Sequence, residues 1–354
     1  MDITVLIARY LGEKRPQYIG QVIGGSIVVF ALISAVLFVV LVGFARPISV
    51  LMQAPEEALG LTSGYVRICG AGIFFIVAYN LLAAIFRGLG DSQSPLLFVL
   101  VACIVNVFGD LFLVAGLHLD AAGAAIATLA AQAASVVCAV IMLLKKHLPF
   151  KLCKADFRLN PQCRKFLSIG LPLALQEFLT QLSFLALCAF VNRLGLEASS
   201  GYGVACKIVN FAMLIPSALM QSMAAFVSQN IGAGSKKRAR QSMFTGIGIG
   251  LAFGCAVFAN AFAYLKGFAP ETIATAVLFS MVGYFNGNNK TVWVMVQGLV
   301  QTLLVRLPMA YFMSIQPNAS LTMIGLAAPT STAVGIVLNI CFYFYFERTS
   351  RSDS

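Results

Sequence analysis

The stretch GGSIVVFALISAVLFVVLVG, residues 24 to 43, contains twenty residues without a charged side chain. A helix that crosses the hydrocarbon core of a bilayer needs about 20 mostly apolar residues. Similar stretches recur along the whole chain, which has 354 residues, of which 60% are hydrophobic and 10% charged, and a mean hydropathy of +0.90. Because roughly a quarter of the residues in soluble domains are charged, this composition excludes a soluble protein. It predicts a membrane protein in contact with the lipid bilayer.

Ten apolar stretches are long enough to be membrane spans. All should be helices, because an open strand edge leaves backbone groups unpaired in lipid. The sequence therefore predicts an all-α polytopic membrane protein. The predicted spans are residues 18–43, 64–86, 95–117, 122–144, 166–192, 199–229, 241–262, 266–285, 292–314 and 321–346.

The connections between these spans carry very different numbers of basic residues. Eighteen of the 24 Lys and Arg lie in alternate connections and at the two ends, and four lie in the remaining connections. The positive-inside rule places the richer set, which includes residues 145–165 and the C-terminus, in the cytoplasm. The same rule accounts for the net charge of +11, so we predict no nucleic-acid partner.

The two halves of the chain show a weak internal repeat. AIFRGLGDS (84–92) aligns with GYFNGNNKT (283–291), and GAAIATLAAQ (123–132) aligns with GLAAPTSTAV (325–334). IARYLGEK (7–14) aligns with VSQNIGAG (227–234), but at an offset of 220 instead of about 200. The offsets predict that the first half lacks about 56 residues before Gly12, and that the second half has lost a connection near residue 260.

Several motifs carry a resemblance to a known family. They are FRGLGDSQSP (86–95), NVFGD (106–110), SIGLPLALQE (168–177), YGVACKI (202–208) and FVSQNIGAG (226–234), with GAAIATLAAQ between them. With these motifs in this order, the chain resembles transporters of the multidrug and toxic compound extrusion (MATE) family, in particular the DinF-like branch. The resemblance implies twelve helices in two six-helix lobes around a cavity. It also implies export of small organic compounds coupled to Na⁺ or H⁺, without a cofactor.

The resemblance and the repeat together predict the architecture. Two parallel six-helix repeats form two lobes, and the first repeat is incomplete, so that about ten membrane helices and a helical stub remain. We expect an incomplete N-lobe over 1–144, a basic cytoplasmic linker over 145–165 and a C-lobe over 166–354. The resemblance further implies a monomer in the bacterial inner membrane with a cytoplasmic C-terminus.

Asp110 is the first candidate site residue. A carboxylate at the centre of a membrane helix costs about 2.5 to 3.5 kcal/mol and usually faces a partner or a cavity. Asn106 is one turn earlier, and Thr128 is as far after the turn at Leu119 as Asp110 is before it, so the three side chains reach one depth on antiparallel helices. They predict a Na⁺ or proton site, and the alternative is a hydrogen bond between packed helices. They also match the N-lobe cation site of MATE proteins, whose other carboxylate lies on a first helix that is absent here.

A second candidate site lies in the other half of the chain. Glu177 and Gln181 are one turn apart, with Gln176 beside them, and are interpreted either as a substrate or second coupling site or as an ordinary polar contact. Lys207 and Arg306 are cations within spans that either offset these carboxylates or extend to the interface.

No catalytic arrangement is present in the sequence, because the only histidines, His118 and His147, lie in loops. The function that the resemblance implies is multidrug efflux by cation antiport, and not catalysis. The alternatives are a lipid-linked oligosaccharide flippase of the same superfamily and a truncated fragment that transports nothing.

Overall fold

The computed structural model describes residues 2–51, 56, 59–146, 148, 150, 153–192, 206–207, 210–259, 269–316 and 320–352. Most of these residues are helical and none lies in a strand, which confirms the all-α prediction for the described residues. Contacts divide the chain into two units. The N-unit is Leu6–Phe166, and the C-unit comprises Met1–Val5 and Leu167–Ser354.

The N-unit is built mainly from long apolar helices. A π-helical segment, Leu111–Gly116, continues the sixth helix. Three of the predicted spans, 18–43, 95–117 and 122–144, match observed helices to within a few residues. The helices are α1 (Asp2–Gly12), α2 (Pro16–Gly43), α3 (Ala45–Leu51), α4 (Leu59–Ala71), α5 (Ile73–Gly88), α6 (Gln93–Asp110) and α7 (Asp120–Lys145).

The predicted span over 64–86 consists of two helices. α4 and α5 meet at Gly72 and are bent by 50° relative to each other. A Cβ atom at position 72 would lie 1.9 Å from Cδ1 of Leu129 in α7, so glycine leaves room at this bend for the Leu129 side chain.

The short 3₁₀ turn Lys154–Asp156 of the predicted linker packs on α2. Asn160 donates a hydrogen bond of 2.8 Å from Nδ2 to the carbonyl oxygen of Gln21. The Tyr10 hydroxyl donates to Oε1 of Gln162 over 2.7 Å. These contacts attach the described end of the linker to the N-unit, while the three-part domain division remains a prediction.

The C-unit contains one further π-helical segment, Val300–Arg306, between two of its helices. The helix that leads into the C-unit starts at Pro161, five residues before the predicted span. The remaining helices are α8 (Pro161–Asn192), α9 (Leu214–Gly232), α10 (Lys236–Ala259), α11 (Ala269–Gly287), α12 (Thr291–Leu299), α13 (Leu307–Ser314), α14 (Leu321–Gly325) and α15 (Ala327–Ser352).

α11 is central to the packing of the C-unit. It contacts α9, α10 and α15, and its Phe285 is completely buried. Close by, the single tryptophan of the chain, Trp293, stacks on Phe342 with ring centroids 4.1 Å apart. Its indole Nε1 donates a hydrogen bond of 3.1 Å to Oδ1 of Asn339.

Fewer membrane spans are found than the ten predicted. Within the described residues, seven helices are long and apolar enough to cross a membrane, or eight if the bent pair α4 and α5 forms one span. α10 and α11 are helical where spans are predicted but are not among the seven. Residues 199–205, 208–209, 260–262 and 266–268 of the predicted spans lie outside the described residues. The count of ten therefore remains a prediction.

Candidate functional site

The hairpin of α6 and α7 positions the first group of candidate residues. A Cβ atom added at Gly109 would lie 2.9 Å from Cβ of Ala127, so glycine allows the two helices to approach closely at this level. The π-helical segment Leu111–Gly116 begins directly after Asp110. Such segments often occur at functional sites, because they change the direction in which neighbouring side chains point.

Two of the three predicted residues are in direct contact. Nδ2 of Asn106 donates to Oγ1 of Thr128 over 3.5 Å, which is long for a hydrogen bond and therefore weak. Asp110 lies one turn from Asn106 on α6, so this part of the predicted cluster is formed by two helices at one level. Tyr65 of α4 also lies close enough to Asp110 to interact with it electrostatically.

The Asp110 carboxylate has an oxygen that is buried and unpaired. Its Oδ1 atom has no hydrogen-bond partner in the structure. A buried acceptor without a partner is costly, and a charged one is more costly still, so such an atom usually meets a cation, a proton or a water molecule. The Asp110 oxygen is therefore available to a cation, a proton or a water molecule.

The donor set suits an alkali ion or a proton better than a transition metal. No group of three or more His, Cys, Asp and Glu side chains is found among the described residues. One carboxylate with amide and hydroxyl oxygens is instead the kind of ligand set that hard cations prefer.

The second group of candidates is only partly brought together. Nε2 of Gln181 donates to Oε1 of Glu177 over 3.0 Å, and both side chains are exposed. Gln176 is half-buried and packs against Gly298, where a Cβ atom would lie 2.7 Å from its Cγ. Glu177 and Gln181 thus form a local pair on one turn of α8.

The two cations of this group differ in their surroundings. Arg306 is buried, donates from Nε to Oγ of Ser331 over 3.2 Å and lies over the ring of Phe184 at 5.1 Å. Lys207 is exposed. The contacts of Arg306 in the structure include Ser331 and Phe184, and its pairing with Glu177 stays a prediction.

Three polar residues were missed by the sequence reasoning. Glu271 of α11 is buried and interacts electrostatically with Arg306. Gln132 and Ser135 of α7 carry buried oxygens without hydrogen-bond partners. Continuing the helical spacing from Thr128 by one and two turns would have identified the last two.

Comparisons with known proteins agree on one family. A model of the MatE family matches residues 3–112 and 172–266. The chain is 27% identical over 252 residues to the probable multidrug resistance protein YoeA of Bacillus subtilis, which covers 69% of this chain and 54% of the relative. It is 26% identical over 215 residues to an FAD transporter of Shewanella oneidensis, with 59% of this chain and 48% of the relative covered. The chain thus spans about half the length of the curated relatives it matches.

A solved structure gives the same assignment at the level of the fold. A MATE crystal structure in the bent conformation superposes with a TM-score of 0.89 at 18% sequence identity. The superposition covers 99% of this chain and 84% of the crystallised chain. At this identity the likeness establishes the fold alone.

Proposed function

Because this multi-pass membrane chain belongs to the MatE family, we propose that it is a secondary active transporter that exports small organic compounds in exchange for Na⁺ or H⁺. The observation that carries the proposal is the buried, unpaired Asp110 oxygen beside the Asn106–Thr128 contact. When a carboxylate in such surroundings binds a cation or a proton, the free energy of the protein decreases.

In this proposal, cation binding shifts the balance between two arrangements of the protein. A bound cation favours an arrangement only by the difference in its affinity for the two, so the oxygens around Asp110 must be arranged differently in each. Export follows when one arrangement opens the substrate cavity to the outside and the other opens it to the cytoplasm.

The proposal also includes more specific properties that are expected from the sequence. They are the DinF-like branch, two lobes from parallel repeats, a monomeric state, and a bacterial inner-membrane location with the C-terminus in the cytoplasm. Glu177, Gln181 and Gln176 are proposed to contact the substrate, with Arg306 and Lys207 as further polar groups of the C-unit. The relatives are named for multidrug resistance or FAD transport, which does not favour the flippase alternative.

The proposal is tested by transport through proteoliposomes that contain the purified chain. Ethidium serves as an organic cation and FAD as a comparison substrate, each driven by a Na⁺ or a proton gradient. We expect gradient-driven export by the wild type, and its loss in Asp110→Asn without loss of folded protein, because the amide no longer carries the charge that binds the cation.

Met309→Ala is the matched control, because Met309 occupies the position of Asp110 in the second repeat and carries no charge. It should retain most of the activity. Wild-type protein without gradient-driven export of either substrate would contradict the proposal and favour the non-transporting alternative.

A further inference from the structure

The polar surface of the α6–α7 hairpin extends beyond the residues that the proposed function uses. On α7, Thr128, Gln132 and Ser135 follow one another at spacings of four and three residues, so they share one face of the helix. Thr128 on this face contacts Asn106 of α6. From Thr128 to Ser135 the row extends about 10 Å along the helix axis, away from the turn at Leu119.

The oxygens along this row are buried and unpaired. The described residues of the N-unit contain three buried side-chain polar atoms without a hydrogen-bond partner, namely Oδ1 of Asp110, Oε1 of Gln132 and Oγ of Ser135. Ser135 itself is completely inaccessible to solvent. Because most buried polar groups are satisfied, a concentration of three exceptions on two neighbouring helices requires an explanation.

The chemistry of these oxygens distinguishes a metal cation from a proton. The amide oxygen of Gln132 and the hydroxyl of Ser135 are neutral acceptors and do not hold a proton near neutral pH. Neutral carbonyl and hydroxyl oxygens are, however, good ligands for hard metal cations. A row of them beside one carboxylate therefore suits Na⁺ better than H⁺.

The spacing of the row allows two adjacent positions for such an ion. Asp110, Asn106 and Thr128 surround the first position. Gln132 lies one turn beyond Thr128, and Ser135 lies three residues beyond Gln132, about 4.5 Å further along the helix axis, so the oxygens of Gln132 and Ser135 can reach one ion at the second position.

We propose that Gln132 and Ser135 form a second Na⁺ position, adjacent to the Asp110 position and further from the Leu119 turn, so that the ion transported by this chain is Na⁺. This inference rests on the proposed function, because it assumes that a cation binds at Asp110. It assigns Gln132 as a ligand through its Oε1 atom and Ser135 as a ligand through its Oγ atom. Carried over to the topology proposed above, the second position is on the cytoplasmic side of the first.

The test measures Na⁺ binding by the purified chain in detergent at constant pH and constant ionic strength. The melting midpoint is followed as Na⁺ replaces N-methyl-D-glucamine, because an ion that binds only the folded protein raises this midpoint. We expect Gln132→Met, which removes the oxygen at similar volume, to raise the half-saturating Na⁺ concentration about three- to tenfold. Ser135→Ala should raise it less.

A second variant of Gln132 distinguishes a role of this residue as a Na⁺ ligand from a merely structural role. Gln132→Glu places a carboxylate at the same point and should lower the half-saturating Na⁺ concentration below that of the wild type. Gln297→Met is the matched control, since Gln297 of the C-unit also carries a buried, unpaired oxygen, and its Na⁺ response should equal that of the wild type. If Gln132→Met is unstable, the direction of the change in Gln132→Glu still decides the outcome.

The inference and the proposed function fail in different ways. Loss of the Na⁺ response in Asp110→Asn, together with unchanged responses in both Gln132 variants, would overturn the second position and leave the proposed function intact. A wild type that ignores Na⁺ but exports substrate in a proton gradient would also overturn the inference alone. No Na⁺ response and no export in either gradient would overturn both.

Discussion

The carboxylate of Asp91 connects the ends of two helices. Its Oδ1 atom accepts hydrogen bonds from the backbone N–H groups of Gln93 and Ser94 at the start of α6, both at 3.1 Å. Its Oδ2 atom accepts from the Ser94 hydroxyl at 2.6 Å and from Nζ of Lys146 at the end of α7. Burial alone would raise the pKa of Asp91, but the hydrogen bonds from Lys146 and Ser94 hold this pKa below its ordinary value.

Replacing Asp91 by Asn removes the charge from these hydrogen bonds and should lower the melting midpoint at pH 7. The decrease should be only about 2 °C, because solvent screens the exposed part of the ion pair. Since the pKa of Asp91 is lower in the folded than in the unfolded chain, the stabilisation is complete above the unfolded pKa of about 3.9 and is lost as the pH falls through the folded value. The difference in melting midpoint between wild type and Asp91→Asn, measured over a series of pH values, should therefore disappear below about pH 4.

The control for this series is Asp120→Asn, because Asp120 is exposed and asparagine tolerates its positive φ of 44°. It should change the melting midpoint less than Asp91→Asn at pH 7. A gap for Asp91→Asn that stays constant from pH 7 to pH 3 would show that the charge of Asp91 has no part in it.

At single residues the sequence predicted contacts that follow from helix geometry. Counting residues on both sides of the turn at Leu119 predicted that Asp110 and Thr128 lie at one depth, with Asn106 one turn away on α6, because depth on a helix depends on residue number. The contact observed with Thr128 is that of Asn106. The partners of Arg306 were not predictable in this way. The partners described above lie on α8, α11 and α15, and contacts between distant helices depend on packing that a local pattern does not contain.

The hairpin of α6 and α7 depends on small residues where the helices approach each other. Gly109 faces Ala127, and Gly123 faces the backbone of Leu113, where a Cβ atom would lie 3.1 Å from the carbonyl carbon. Small residues allow close backbone approach in membrane helices, where van der Waals packing is the main source of association. The polar contact of Asn106 with Thr128 lies on this closely packed surface.

Gly109→Leu should separate α6 from α7 and lower both the melting midpoint and the Na⁺ affinity. Overpacking of this kind costs about 1 to 3 kcal/mol of the free energy of unfolding. Gly116→Leu is the matched control, because the nearest atom to a Cβ at Gly116 is the carbonyl oxygen of Leu111 at an ordinary 3.8 Å. Equal effects of the two substitutions, measured by thermal unfolding and Na⁺ titration, would contradict the role of close approach.

At the level of helices, hydrophobic length predicted α2, α6 and α7 well, because long apolar runs have few alternatives in a membrane chain. It failed at the α4–α5 bend. The side chain of Leu129 that packs against Gly72 at the bend comes from a helix more than 50 residues away in sequence. The π-helical segments were also missed, since a single additional residue in a helical turn leaves apolar periodicity almost unchanged.

Across the whole chain, corresponding helix ends have corresponding backbone geometry. Positive φ angles occur at Lys14 and Gly234, which are 220 residues apart, and at Gly90 and Asn289, which are 199 apart. The next N–H group in each case bonds five residues back, as in Arg15 to Tyr10 at 3.0 Å and Ser235 to Asn230 at 2.8 Å. Both offsets equal those of the sequence alignment, and this agreement supports the proposed repeat.

The proposed topology predicts which surfaces are open to the outside of the cell. Single cysteines replace Arg158 and His118, both exposed, in a background without the nine native cysteines, and intact cells are treated with an impermeant thiol reagent. Position 118 should react and position 158 should react only after the cells are opened, because the positive-inside rule retains the basic connection in the cytoplasm. Reaction at position 158 alone in intact cells would contradict the predicted topology and indicate the opposite orientation.

The stacked and hydrogen-bonded Trp293 gives the protein an intrinsic optical label. Since the chain has one tryptophan, its emission arises from a single indole that is held between Phe342 and Asn339 in the C-unit. The Na⁺ positions argued above lie in the N-unit and contain no tryptophan. A Na⁺-dependent change in the emission wavelength or intensity would therefore indicate that Na⁺ binding in the N-unit alters the surroundings of Trp293 in the C-unit. Absence of this change in Asp110→Asn would show that the ion bound at Asp110 causes it.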